Sequence, residues 1–552
     1  MSLSNHLDAE SVIQRAKDHP HLKHARRDGR EIHGGAYTSR YSEEDIPKFS
    51  IPPTGVSAKA AYQIVHDELD LDGSPALNLA SFVHTWMPEE AKQLMIENIS
   101  KNFADQDEYP ATMALHTRCV SMIADLWKAP KGSKAIGTAT AGSSEAIMLG
   151  GLAMKKRWQE KRKAEGKDHY HPNIVFGANA QVALEKFARY FDVECRLVPV
   201  TAESNHVMAP QDALQYIDEN TIGVMVILGS TYTGAFENVE EMARLLDELQ
   251  AKTGLDIPIH VDAASGGFVA PFAYPGYKWG FDIPRVCSIN TSGHKFGLVY
   301  VGLGWILWKD EKLLPKDLVF ELHYLGSTEY SYTLNFSRPA APIIGQMFNF
   351  LNLGFEGYRR IALTDLKNAR LLSRALELSG YYTVLSNIHR PLGTTPSMAS
   401  KIAQAVGAGS GEADAYDDKA ESYERGLPVV TFRFTDKFKE QYPHIKQEWM
   451  QTLLRCKQWI VPNYALPPNE EKIEILRVVV RESMSADVVE RLICDILEAT
   501  ESLMKQNSDA AFLASNSSAG TGPSQRTEQK HNNHKHKHRA GDKNQATYAK
   551  QC

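Results

Sequence analysis

Val286-Cys-Ser-Ile-Asn-Thr-Ser-Gly-His-Lys295-Phe-Gly297, together with His260-Val-Asp262-Ala-Ala-Ser-Gly-Gly267 before it, decides the fold of this chain. Each is a short apolar run ending in polar and glycine residues, the pattern of a buried strand that opens into a functional loop. Outward from this pair, similar runs alternate with amphipathic stretches. Strands are expected at 173–177, 194–200, 222–228, 257–262, 286–291 and 302–308, and helices at 143–163, 181–191, 210–219 and 239–253. That alternation predicts an α/β fold, a mostly parallel sheet covered on both faces. Ligands of such sheets bind beyond the carboxyl ends of the strands, where Asp262, Thr231 and the approach to Lys295 fall.

The two loops differ in chemistry. Lysine is the side chain that forms a Schiff base with an aldehyde cofactor, and a carboxylate is the natural partner of a protonated pyridine nitrogen. Together Lys295 and Asp262 suggest pyridoxal phosphate. The plainer alternatives are a solvated surface lysine and an ordinary buried Asp-Ala-Ala turn. A lysine directly after an apolar strand, between His294 and Phe296, suits a solvated role poorly, and desolvation there lowers its pKa. Gly137-Thr-Ala-Thr-Ala-Gly142-Ser143-Ser144-Glu-Ala-Ile-Met148 is a glycine-containing turn entering a helix. Its N–H groups and hydroxyls make a phosphate site, or Ser143 or Ser144 simply caps the helix.

These motifs resemble the glutamate decarboxylases of bacterial and plant type, pyridoxal-phosphate enzymes of the group II decarboxylase family. The resemblance runs from about residue 57 to 504 and implies the fold-type I architecture. It implies Lys295 as the Schiff-base lysine, with His294, Ser292, Ser143 and Ser144 around the phosphate and Asp262 on the ring nitrogen. Thr231, in Gly229-Ser-Thr-Tyr-Thr-Gly234, and Ala264 match residues beside the ring, and Gln181 falls where this branch places a glutamine over it. Asn335-Phe-Ser337-Arg-Pro-Ala340 matches a segment lending its serine to a neighbouring subunit. For substrate, Asn78-Leu-Ala-Ser81-Phe82 matches the segment holding the distal carboxylate, with serine in place of the family's threonine. Asn102 and Asp105 match the same site, and Arg477 matches the anchor of the α-carboxylate, with Arg481 four residues on as the more structural of the two. The implied reaction converts L-glutamate to 4-aminobutanoate and CO2. A decarboxylase or carbon–carbon lyase for another amino acid shares the cofactor residues but not the distal-carboxylate set. Asp105 facing a substrate carboxylate implies a shared proton and so acidic pH. The stretch 325–334 reads as a flap, with Tyr330 or Tyr332 nearest the reacting atoms.

The 552 residues are 43% hydrophobic and 23% charged, an ordinary globular composition that calls for more than one core. Four parts are expected: an arm over 1–56, a large cofactor-binding domain over 57–353, a small α+β domain over 354–505, and a disordered basic, His-rich tail over 506–552. Net charge is −6, so neither nucleic acid nor an anionic membrane is expected as partner. Six scattered cysteines without a C-x-x-C pair read as reduced thiols. With no apolar leader or membrane-length run, the chain is expected to be cytoplasmic. The resemblance implies a homo-oligomer, with a dimer as the smallest catalytic unit and a hexamer compatible with it. Four histidines in eight residues of the tail suggest adventitious metal binding at most, and no metal site is expected. The tail also lacks tryptophan and an apolar stripe, so calmodulin is not expected to bind it. The stretch 407–425 reads as a surface insertion.

Overall fold

The structure is a computed structural model; it describes residues 9–19, 50–322, 329–393 and 419–517, with side chains to Lys505 in the final helix. Seven strands form the main sheet: β1 (Ile136–Thr140), β2 (Asn173–Gly177), β3 (Glu194–Val198), β4 (Thr221–Ile227), β5 (Ile259–Asp262), β6 (Val286–Ser292) and β7 (Gly304–Trp308). Their order is β1-β7-β6-β5-β4-β2-β3. Strands β2 to β6 pair in parallel, whereas β7 lies antiparallel between β6 and β1. Parallel neighbours need long crossovers, but antiparallel ones are joined by a short loop. The loop from β6 to β7 is the one that carries Lys295. The antiparallel step thus places the lysine at the carboxyl end of β6, beside that of β5.

Every residue of β2, β4, β5 and β7 is buried, as expected for strands covered on both faces. Helix Ser143–Ala164 crosses one face, and helix Val239–Thr253, capped by Asn238 and closed by Gly254 in the left-handed conformation, buries Val239, Met242, Leu245 and Leu246. The expected helix at 210–219 is a single turn, Pro210–Ala213, followed by a 3-10 turn, Leu214–Tyr216. A long helix follows the main sheet. It runs Ala341–Leu378 with a break at Gly354, whose φ of 57° and ψ of −171° favour glycine.

A hairpin follows, β8 (Phe320–Leu322) with β9 (Glu329–Ser331), and then a four-stranded antiparallel sheet. Its strands are β10 (Tyr382–Val384), β11 (Val429–Phe434), β12 (Asn463–Ala465) and β13 (Glu474–Val479), in the order β10-β11-β13-β12. Both sheets belong to one compact unit, Met1–Thr500; residues 501–552 form a second. The expected disordered tail beyond 517, and residues 20–49, 325–328 and 407–418 of the expected arm, flap and insertion, lie outside the described residues. Among the described residues no helix is long and apolar enough to cross a membrane.

Two arginines from the end of the chain hold the segment before the first long helices. Arg481, 1% exposed, donates to the carbonyls of Pro75 (3.2 Å), Asn78 (3.1 Å) and Val83. Arg477 donates to Ala80 O and, at 2.8 Å, to Thr231 O. Buried carbonyls stripped of their donor keep the full desolvation cost. Replacing Arg481 by leucine is therefore expected to lower unfolding stability by about 3 kcal/mol or more, readable by chemical denaturation, and to loosen residues 75–83 in hydrogen exchange.

Candidate active site

Asp262 ends β5 and is 4% exposed. Its Oδ1 accepts from Asn290 Nδ2 at 2.9 Å and from Ala264 N at 3.1 Å. Both bonds end on one oxygen, which leaves Oδ2 for a ligand. Lys295 Nζ donates to Ser265 Oγ at 3.2 Å. Burial pushes the Lys295 amine down to about 8; the Asp262 carboxylate opposes that shift and the Arg477 guanidinium adds to it. The aromatic ring of Phe82, 8% exposed, lies 5.2 Å from Lys295 Nζ and 5.0 Å from Arg477 Cζ. Both cations thus lie within cation–π range of one ring. Arg477 is itself buried, with Nε unpartnered.

The loop between β1 and helix Ser143–Ala164 lies against β7. A Cβ on Gly304 would stand 2.3 Å from the carbonyl carbon of Gly142, so only glycine permits this approach. The helix starts without a side-chain cap, leaving its first N–H groups open to an anion. Ser292 Oγ donates to Ser143 Oγ at 2.7 Å, and Ser144 is exposed beside it. His294 Nδ1 accepts from Leu303 N at 3.1 Å, so the ring carries its proton on Nε2. Burial, then the charge of Lys295, hold His294 at about 4. A Cβ on Gly142 would meet its Cε1 at 3.1 Å, which puts the imidazole at the open helix end. The uncapped helix, the unengaged Asp262 oxygen and the buried amine fit a phosphorylated pyridine aldehyde.

The other expected residues fall in two places. Thr231 follows β4 and meets Arg477 through its carbonyl; Ala264, two residues after Asp262, donates its N–H to that carboxylate. Ser81 Oγ accepts from Val83 N at 3.1 Å and so shapes the turn that carries Phe82. Gln181 is exposed and caps helix Val182–Tyr190, its Oε1 accepting from Ala183 N at 2.7 Å. Asn102, Asp105 and Ser337 form a separate cluster. Asn102 Nδ2 donates to Asp105 Oδ1 at 3.1 Å and to Ser337 Oγ at 3.4 Å, and its Oδ1 accepts from Arg338 N at 3.1 Å. Tyr332 does not face the amine: it is half-buried against Trp308 and donates to Gly137 O at 2.8 Å. Tyr330 is exposed and bonded to Glu321.

Three residues went unnoticed in the sequence. Ser265, the hydroxyl partner of Lys295, sits three positions after Asp262 in the same motif. Asn290 is one of the polar residues Ser288, Asn290 and Ser292 that alternate along β6, all of them buried. Glu145, 6% exposed, accepts from Ala141 N (2.8 Å) and Asn335 N (3.0 Å), tying the phosphate-site turn to the Ser337 segment.

The pyridoxal-dependent decarboxylase conserved domain matches residues 53–392. A glutamate decarboxylase of Saccharomyces cerevisiae is 47% identical, with 81% of this chain and 78% of that protein covered. One from Solanum lycopersicum is 46% identical, covering 85% and 86%. Among solved structures, a Lactobacillus brevis glutamate decarboxylase superposes with a TM-score of 0.74 at 35% identity, over 84% of this chain and 96% of that one.

With its pKa near 8 against an ordinary value near 10.5, Lys295 in cofactor-free protein should outpace the other lysines in competitive acylation at pH 8. Asp262→Asn removes the charge that raises it, so the titration followed by mass spectrometry should move to lower pH.

Proposed function

The chain belongs to the pyridoxal-dependent decarboxylase family, and we propose that it releases the α-carboxyl group of L-glutamate as CO2, leaving 4-aminobutanoate. The observation that carries this reading is the meeting of Lys295 and Arg477 at the Phe82 ring, with the Asp262 carboxylate acting on the Lys295 charge, in a chain whose relatives are glutamate decarboxylases. When bound, pyridoxal phosphate accepts into its protonated ring the electron pair left as the carboxyl group departs.

The chain's own residues bind and orient. Lys295 is the amine that would hold the cofactor aldehyde. Its lowered pKa raises the share of it that is neutral, as a nucleophile requires. Asp262 keeps the ring nitrogen protonated through Oδ2. The open N-terminus of helix Ser143–Ala164, the hydroxyls of Ser143, Ser144 and Ser292, and His294 Nε2–H hold the phosphate. Ala264 and Thr231 flank the ring, and Gln181 reaches it by leaving its capping bond. Arg477 anchors the α-carboxylate. Ser81 and Phe82 shape the pocket for the side chain, and Ser81 supplies the hydroxyl that the family has as threonine.

Asn102, Asp105 and Ser337 complete the distal-carboxylate and phosphate sites of a neighbouring subunit, so a homodimer is the smallest active assembly. What supports this is that Asp105 and Ser337 both bond to Asn102, and among the described residues neither of these bonds runs to the Lys295 group in the same chain.

An absorbance spectrum should show the visible band of cofactor joined to Lys295, and L-glutamate should yield 4-aminobutanoate; Lys295→Ala should lose both. A band with a different product would refute glutamate as substrate, and no band after reconstitution would refute the cofactor assignment. Co-expressing Lys295→Ala with Asp105→Ala tests the shared site. Each is inactive alone, and the mixture should recover roughly a quarter of wild-type activity, the statistical share when subunits mix freely. No recovery despite mixed dimers would place Asp105 in its own chain's site.

A further inference from the structure

His260 is fully buried, and its ring bonds on both sides within one sheet. Nδ1 lies 2.8 Å from Ser288 Oγ and Nε2 lies 2.7 Å from Asn290 Oδ1. Asn290, equally buried, donates through Nδ2 to Asp262 Oδ1 at 2.9 Å. The strand register makes this row. β5 and β6 pair His260 with Ser288 and Asp262 with Asn290, so all four side chains stand on one sheet face. Helix Ser143–Ala164 closes over the row at Gly150, where a Cβ would stand 2.6 Å from His260 Cε1 and 2.7 Å from Nδ1.

The direction of each bond follows from the carboxylate. An ionised Asp262 only accepts, so Asn290 must present its NH2 and turn its carbonyl to His260. A carbonyl also only accepts, so His260 carries its proton on Nε2. Nδ1 is then a lone pair, and the Ser288 hydroxyl must donate to it. Every member is uncharged except the last. Burial lowers the His260 pKa, in keeping with a neutral ring, although Asn290 and Asp262 pull the other way.

We propose that Asn290 and His260 are positioning residues for Asp262: the row Ser288–His260–Asn290 locks one carboxylate oxygen in place, so that the other oxygen meets the cofactor's ring nitrogen. This rests on the reading of Asp262 given above. Asn290 supplies the bond to the carboxylate, and His260 sets which end of the Asn290 amide faces it. Neither touches the reacting atoms.

The test compares how tightly cofactor-free protein binds pyridoxal phosphate and its 1-deaza analogue, which has CH in place of the ring nitrogen. Wild type should prefer the natural cofactor. Asn290→Leu should cut that preference by about tenfold, the size expected for losing a charge-assisted hydrogen bond. Asn290→Ala takes its place if the leucine variant does not fold. His260→Gln, whose side-chain NH2 can replace Nε2–H, should keep the preference. An Asn290 variant weakened equally toward both compounds, with the ratio unchanged, would make the row merely structural and overturn the proposal, as would a His260→Gln variant that loses the preference. A wild type that does not discriminate at all would instead overturn the assignment of Asp262 to the ring nitrogen.

Discussion

The site depends on keeping a carboxylate and an amine, Asp262 and Lys295, inside an apolar wall. Burying a charge is costly unless hydrogen bonds and an opposite charge replace the lost water. Asp262 is held by two N–H donors, and Lys295 answers burial by titrating near 8 rather than 10.5. The compromise is chemically useful, because the same burial that destabilises the ammonium makes the amine nucleophilic. Arg477 pushes in the same direction from across the Phe82 ring.

Backbone geometry delivers these groups. Because β7 returns antiparallel beside β6, a short loop carries His294 and Lys295 across the carboxyl ends of the parallel strands. Because both Gly142 and Gly304 lack side chains, the β1 turn closes against that same loop. The anion-binding helix end, the imidazole and the amine are therefore set by three adjacent strands rather than by long flexible side chains. A site on such rigid elements keeps its geometry more closely than one on free loops.

Much of this was legible in the sequence, and the exceptions have identifiable causes. Strands such as β2 and β4 are near-continuous apolar runs, and a sheet covered on both faces requires that. β1, Ile136-Gly-Thr-Ala-Thr140, has little bulk and is a strand because β7 pairs with it. The helix before Gly354 was hidden by the glycine that breaks it, and β12 is three residues long, too short for any period to show. Lys295 and Asp262 stand out because their motifs end apolar runs. Asn290 does not, since its importance comes from lying opposite Asp262 in the register, which no single stretch records. Gln181 shows the converse: its position was legible, yet its side chain is engaged with its own helix.

The two arginines near the end of β13 connect the parts. Arg477 and Arg481 stand four residues apart, yet one faces the Lys295 group while the other is spent wholly on backbone carbonyls. Both bind the segment from Pro75 to Val83, which carries Ser81 and Phe82. Substrate-facing residues from the start of the chain are thus positioned by a strand from its end. Any change in the packing of the four-stranded sheet would reach Phe82, and through it the charge balance at Lys295, without altering a residue of the seven-stranded sheet. The cofactor side of the pocket is built into one sheet, whereas the substrate side is an assembly of distant segments. Specificity should therefore be easier to alter than cofactor binding.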